Sequence, residues 1–291
     1  MFDIESYHKA NTVAEAIQLL SQNPQAIPLA GGTDVLVRLH QGNANYRHVV
    51  DIHDVTELQA VTQAADGTIA VGAGATFNQL MADTVVNDHI PVLAQGAASV
   101  GGPQVRNVAT VGGNICNGAP SADSAAPLLV LNATVVLQGP QGERRLPLHE
   151  FYQGPGRVDR QPAEIMTALS IAADDYRCWY GSYYKYAMRD AMDIATIGCA
   201  AACKLDAGKM ADLRLAFTVA GPTPLRCWKT EKEAWGAMVN KALLERIKTS
   251  VLTDLRPRDS WRAPKALRQQ IIQTLTERVL IQALQPCGVA L

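Results

Sequence analysis

Two glycine pairs in this chain are of a kind that can hold a diphosphate. The first sits in Ile27-Pro28-Leu29-Ala30-Gly31-Gly32-Thr33-Asp34, the second in Ala109-Thr110-Val111-Gly112-Gly113-Asn114. Glycines at the end of an apolar run let backbone N–H groups approach a ligand that a Cβ would hold off. Consecutive amides turned to one side form a concavity for phosphate oxygens. Each pair is expected to end a strand, and each is followed by small polar residues. Together they read as a clamp on one pyrophosphate, and such a clamp needs no formal charge.

Self-sufficient catalysis is not visible. The chain has no Gly-x-Ser-x-Gly elbow, no His-Glu-x-x-His and no P-loop. Its six histidines, His8, His40, His48, His53, His89 and His149, are scattered. Gly72-Ala73-Gly74 resembles the start of a dinucleotide fingerprint, but Phe77 stands where that fingerprint needs glycine or alanine. Those two glycines read instead as a strand-to-helix turn ahead of the capping box Thr76–Gln79. The six cysteines have no spacing for zinc or an iron–sulfur cluster and are expected to be free, buried thiols in a reducing cytosol. No metal site is expected in this chain.

Composition narrows the classes further. A length of 291 residues accommodates about two domains, and 48% hydrophobic with 18% charged residues allows a large core. Lys and Arg number 26 against 27 Asp and Glu, without a basic run longer than a pair, which argues against nucleic acid or an anionic membrane as partner. No apolar run is long enough to span a bilayer. The N-terminus MFDIESYHKA carries acids at once and is not a secretory signal, so a cytoplasmic location is expected.

The elements that must position the motifs can be read in order. Thr12-Val13-Ala14-Glu15 starts a helix, Val35–Leu39 another, and His48–Ile52 reads as a strand. Gln59–Gln63 with Thr68–Ala73, and Thr134–Gln138 with Arg144–Leu148, read as hairpins. Val92–Ser99 and Asp123–Leu131 read as helices, Phe151–Gly156 as a loop, and Glu164–Ile171 as a strand. The pattern pauses near Asp174–Arg177. Three strands follow (Ser182–Met188, Ile194–Leu205, Leu213–Val219), with Ile197, Cys199, Ala201, Cys203 and Leu205 on one face. Helices Glu231–Val239, Leu243–Leu255 and Ala266–Leu284 close the chain, the last with Leu267, Ile271, Leu275 and Val279 inward. Strands followed by helices point to a separate α+β domain, so the chain divides into 1–176 and 177–291. Read by themselves, Asp123 can cap the helix it precedes, Ile165 can be strand core, and Lys185, alternating with Tyr184 and Tyr186, can be a solvated strand lysine.

AGGTDVL at 30–36, RNVATVGGNICN at 106–117 and KYAMRDAMDIATIG at 185–198 resemble the FAD-binding subunits of molybdenum hydroxylases. Within that family the chain looks like the medium subunit of bacterial three-subunit xanthine dehydrogenases, supported by FYQGPG at 151–156 and SWR at 260–262. The resemblance runs end to end. It implies an α+β chain: an FAD-binding domain of the PCMH (vanillyl-alcohol-oxidase-like) type made of two α/β subdomains, then a CO-dehydrogenase-flavoprotein C-terminal domain. It implies that Ile27–Asp34 and Ala109–Asn114 hold the pyrophosphate and ribityl portion, that Ile115 packs near the isoalloxazine, and that Asp123, Ile165 and Lys185 contact the flavin. FAD would be non-covalent. Molybdopterin and 2Fe-2S clusters would sit on a large and a small partner subunit of a heterotrimer. Electrons would pass from them through FAD to NAD+ as a purine such as xanthine or hypoxanthine is oxidised. Rival readings are the same role with an aldehyde, CO, nicotinate or aromatic acyl-CoA as substrate, a flavin-free assembly subunit, or a free-standing flavin oxidase. Trp261 departs from the family pattern, where tyrosine is common.

Overall fold

The computed structural model describes residues 3–288 and is built on three sheets and a short ribbon. The first sheet is parallel: strand His48–Asp51 lies between Ser6–Lys9 and Ile27–Leu29. Parallel neighbours need crossovers, and helix Val13–Gln22 supplies one. Thr12 caps that helix by accepting from the N–H of Glu15, whereas the Glu15 carboxylate reaches one residue beyond the expected box, to the N–H of Asn11. The second sheet is antiparallel, in the order Val61–Gln63, Ile69–Gly72, Ile165–Ile171, Thr134–Gly139, Gly142–Pro147. Both expected hairpins form, and Phe151–Gly156 becomes a helix end (Leu148–Phe151) and part of the ribbon Tyr152–Gly154/Arg157–Val158.

The third sheet, Tyr180–Tyr186, Ile197–Asp206, Lys209–Thr218 and Leu225–Arg226, is buried on both faces. Period two sorts its side chains: Ile197, Cys199, Ala201 and Cys203 face the closing helices, while Tyr183, Ala200, Ala202 and Ala216 join the core of the second sheet. Its small residues let helices Pro91–Ala98 and Ala125–Val130 approach closely from that second side. The closing helices are Trp228–Ala234, Lys241–Asp254 and Lys265–Leu284. Ile271, Leu275 and Val279 are buried as expected, but Leu267 is 41% exposed; in that first turn it is Arg268 that is buried, its guanidinium donating to Thr196 O and Ser260 Oγ.

Two arginines tie the third sheet to the helix Ala125–Val130. Arg226 donates to Leu129 O (3.2 Å) and Asn132 Oδ1 (2.6 Å), and Arg214 to Val130 O (3.1 Å) and Asp175 Oδ1 (2.7 Å). Arg214 satisfies Val130 O, which the helix end leaves unpaired, Arg226 adds a second donor to Leu129 O beside the N–H of Asn132, and both place positive charge at the helix's negative pole. Cys199, Cys203 and Cys227 are buried free thiols, but Cys178 is exposed, since it lies in the irregular link before the third sheet. No helix among the described residues is long and apolar enough to cross a membrane.

Candidate functional site

A cavity of about 560 Å³ opens where the first sheet, the second sheet and the loop 187–196 meet. Of the residues singled out in the sequence, it is lined by Ile27, Pro28, Ala30, Gly31, Gly32, Thr33, Asp34, Ala109, Thr110, Gly112, Gly113, Asn114, Asp123 and Ile165. Leu29, Val111, Ile115 and Lys185 stand behind its wall; Val111 and Ile115 are wholly buried in the large core.

The four glycines are there for different reasons. Gly32 takes a left-handed φ of 73°, which a side chain would strain. A Cβ on Gly31 would lie 1.9 Å from the Val108 carbonyl oxygen, and one on Gly112 would lie 2.5 Å from Ala73 Cβ. These two therefore let backbones pack against each other. Only at Gly113 does the missing Cβ open on space, its sole near neighbour being Thr110 Oγ1 at 2.9 Å.

The amides differ as well. Among the described residues nothing accepts from the N–H of Gly31, Gly32, Thr33 or Asp34, so the first motif offers consecutive free donors at the cavity. The second motif does not. It is the first turn of helix Val111–Cys116 rather than a strand end, and its amides are used internally. Gly112 N–H donates to Ala73 O (2.8 Å), Gly113 N–H to the cap Thr110 Oγ1 (3.1 Å) and Asn114 N–H to Thr110 O (3.0 Å). The expectation of two equivalent amide cradles is thus corrected: one motif donates, and the other leaves room.

Asp123 precedes helix Ala125–Val130 and does not cap it. Its side chain turns to the third sheet, where Oδ2 accepts from Lys185 Nζ (2.7 Å) and Oδ1 from Tyr183 Oη (3.0 Å). Lys185 also donates to Ser99 O (3.0 Å), so it is not a solvated lysine. Burial pushes the Asp123 carboxyl above its ordinary range, while Lys185 and Tyr183 act in the opposite sense by favouring the ionised form.

Several lining residues escaped the sequence reading: His53, Gly74, Gly101, Arg160 and Met192. Gly74 does serve the strand-to-helix turn, since a Cβ there would meet Leu58, but it also borders the cavity. Met192 belongs to the loop after Tyr180–Tyr186, and its N–H donates to Gly101 O (3.0 Å), closing the cavity from the C-terminal side. A third glycine pair at 101–102 was the available signal: a Cβ on Gly102 would lie 2.8 Å from Met192 Sδ. Arg160 brings a positive charge held through backbone carbonyls, Glu164 O at 2.9 Å foremost. Cys116 also lines the cavity, but burial pushes its thiol up to about 11, so it carries no thiolate at neutral pH.

Comparison with known proteins agrees with this layout. Residues 2–173 match the family described as FAD binding domain in molybdopterin dehydrogenase, and residues 182–283 the CO dehydrogenase flavoprotein C-terminal domain. The chain is 51% identical over 288 residues to a xanthine dehydrogenase FAD-binding subunit of Escherichia coli, covering 99% of each. It is 29% identical to the glyceraldehyde dehydrogenase medium chain of Sulfolobus acidocaldarius, covering 93% of this chain and 95% of that one. A solved structure of carbon monoxide dehydrogenase from Hydrogenophaga pseudoflava contains a chain that superposes with a TM-score of 0.93 at 28% identity, covering 98% of this chain and 99% of that one. With both domain families matched in order, the chain belongs to the FAD-binding subunits of the molybdopterin dehydrogenases.

Proposed function

We propose that this chain is the FAD-binding subunit of a xanthine dehydrogenase, and that it relays electrons from partner iron–sulfur clusters to NAD+ during purine oxidation. The end-to-end identity of 51% to a xanthine dehydrogenase subunit, against 27–32% for relatives named for glyceraldehyde, carbon monoxide or nicotinate, supports the purine reading. The observation that carries the FAD reading is the row of free amides at Gly31–Asp34 facing an interdomain cavity. Those donors suit a pyrophosphate without adding formal charge. Asp123, its carboxylate fixed from behind, would accept a hydrogen bond from a ring N–H. Ile27 and Pro28 would line the pyrophosphate and ribityl portion with the rest of the first motif, and Ile165 would contact the flavin.

When bound, FAD would supply the hydride and single-electron chemistry, so the protein has only to hold, orient and shield it. The fold then need not supply a catalytic acid–base pair of its own. The partners would be a molybdenum-cofactor subunit and a 2Fe-2S subunit in a heterotrimer, with a domain boundary near 176–177 in this chain. Anaerobic stopped-flow at the flavin band tests the assignment. NADH should reduce the flavin of the FAD-loaded chain, and xanthine should do so only once the two partners are present. Reduction by xanthine without them would overturn the division of labour.

A second expected result concerns Asp123. Asp123→Asn keeps the shape but removes the charge, so FAD should bind at least tenfold more weakly. Fluorescence quenching on titration with FAD measures this, and thermal melts with and without FAD separate it from a stability effect. Unchanged affinity would remove Asp123 from the site.

A further inference from the structure

We propose that Tyr183 is a positioning residue for the cofactor: its hydroxyl fixes the plane of the Asp123 carboxylate that faces the cavity. This rests on the FAD reading above. Tyr183 and Lys185 are two apart on strand Tyr180–Tyr186, so both point to the same face, toward the N-terminal domain. There they divide one carboxylate between them, Tyr183 Oη on Oδ1 at 3.0 Å and Lys185 Nζ on Oδ2 at 2.7 Å. A single donor would leave the carboxylate free to turn about its Cβ–Cγ bond. Two donors on different oxygens set its plane, and the remaining lone pairs become acceptors of fixed direction.

An independent observation shows that the fold makes room for this hydroxyl. Gly198 lies in the neighbouring strand, opposite Lys185. A Cβ at 198 would stand 2.9 Å from Tyr183 Oη and 2.3 Å from Thr218 Oγ1. Glycine inside a strand is unfavourable for the sheet. Here it leaves the space in which the tyrosine ring leans along the sheet toward Asp123 instead of standing upright. Tyr183 is 7% exposed and Asp123 likewise 7%, so water does not replace the bond if it is lost. The backbone N–H of Tyr183 is held in turn by Gln95 Oε1 at 2.7 Å, on the helix that also leads to Ser99. The tyrosine is therefore anchored to the N-terminal domain at both its backbone and its hydroxyl.

The role differs from that of Lys185. Lysine supplies the countercharge; tyrosine supplies direction without charge. Tyr183→Phe removes one oxygen and keeps the ring, whereas Gly198→Ala keeps every polar group and displaces the hydroxyl. Both should act alike on the cofactor.

The test uses the FAD-loaded complex and reads three quantities: the dissociation constant for FAD, the flavin absorption spectrum and the flavin midpoint potential. Tyr183→Phe and Gly198→Ala should each weaken FAD binding about tenfold, displace the spectrum and move the potential in the same direction. The melting temperature without FAD serves as the structural control. Should wild type bind FAD while Tyr183→Phe leaves affinity, spectrum and potential unchanged, the positioning role is overturned. A loss of melting temperature with an unmoved spectrum and potential also overturns it, in favour of packing alone. Failure of the wild type to bind FAD would instead reject the underlying cofactor reading.

Discussion

Gly113→Val should give a folded chain that no longer retains FAD. Among the four motif glycines only Gly113 has its missing Cβ turned to open space, so a branched side chain there enters the cavity instead of the core. The only local contact disturbed is Thr110 Oγ1, 2.9 Å from the new Cβ. Weakening that cap costs about 0.5–2 kcal/mol, which a chain with two large cores can absorb. FAD affinity should fall by more than a hundredfold, because two methyl groups occupy volume the cofactor needs and cannot withdraw on a helical backbone. Gly31→Ala is the informative contrast. Its Cβ would meet backbone, the Val108 carbonyl oxygen at 1.9 Å, so the strain falls on the fold itself and the apo melting temperature should drop. Stoichiometric FAD after purification of Gly113→Val, judged by the absorbance ratio of flavin to protein, would sink the clamp assignment.

That contrast also shows what the sequence could and could not say. Residue type and spacing located both glycine motifs, since glycine pairs beside apolar runs are rare enough to stand out. They did not reveal why each glycine is present, because the answer lies in tertiary neighbours: Val108 for Gly31 and Ala73 for Gly112. The helix Val111–Cys116 was misread as a strand end for a local reason. Val-Gly-Gly-Asn has poor helix propensity, and only the Thr110 cap and the packing of Val111 and Ile115 into the core make it helical. Strand Ser6–Lys9 was not seen at all, as it is a short, mostly exposed edge without hydrophobic alternation. In the third sheet the alternate facing was legible and correct, since the pleat of any strand imposes period two even where burial on both faces makes the run continuously apolar. The same alternation puts Tyr183 beside Lys185, but nothing local says that both meet a carboxylate sixty positions earlier. Gly101 and the 187–196 loop were missed as cavity walls for the same reason: their contact is between domains.

The largest expected stability effect lies at the buried pair Arg226–Glu231, where a short strand of the third sheet meets the helix Trp228–Ala234, and Arg226 also reaches Leu129 O and Asn132 Oδ1. The guanidinium is bidentate on the carboxylate, Nε to Oε1 and Nη2 to Oε2 both at 2.7 Å, and the two residues are 6% and 8% exposed. Glu231 Oε1 also accepts from the N–H of Leu215 (2.9 Å), inside the third sheet. Glu231→Ala would strand a guanidinium that cannot lose its proton and would leave a buried backbone donor unpaired. A loss of about 3–5 kcal/mol is expected, read from chemical denaturation at fixed temperature. Arg226→Met should cost a comparable amount, as it frees the carboxylate and uncaps Leu129 O and Asn132 Oδ1. The double variant Arg226→Met/Glu231→Leu should recover part of the loss, because neither charge is then buried alone. Recovery should stay incomplete, since the N–H of Leu215 remains without a partner and Leu129 O keeps only the N–H of Asn132. Single variants costing under about 1 kcal/mol would mean that the pair behaves as an exposed one.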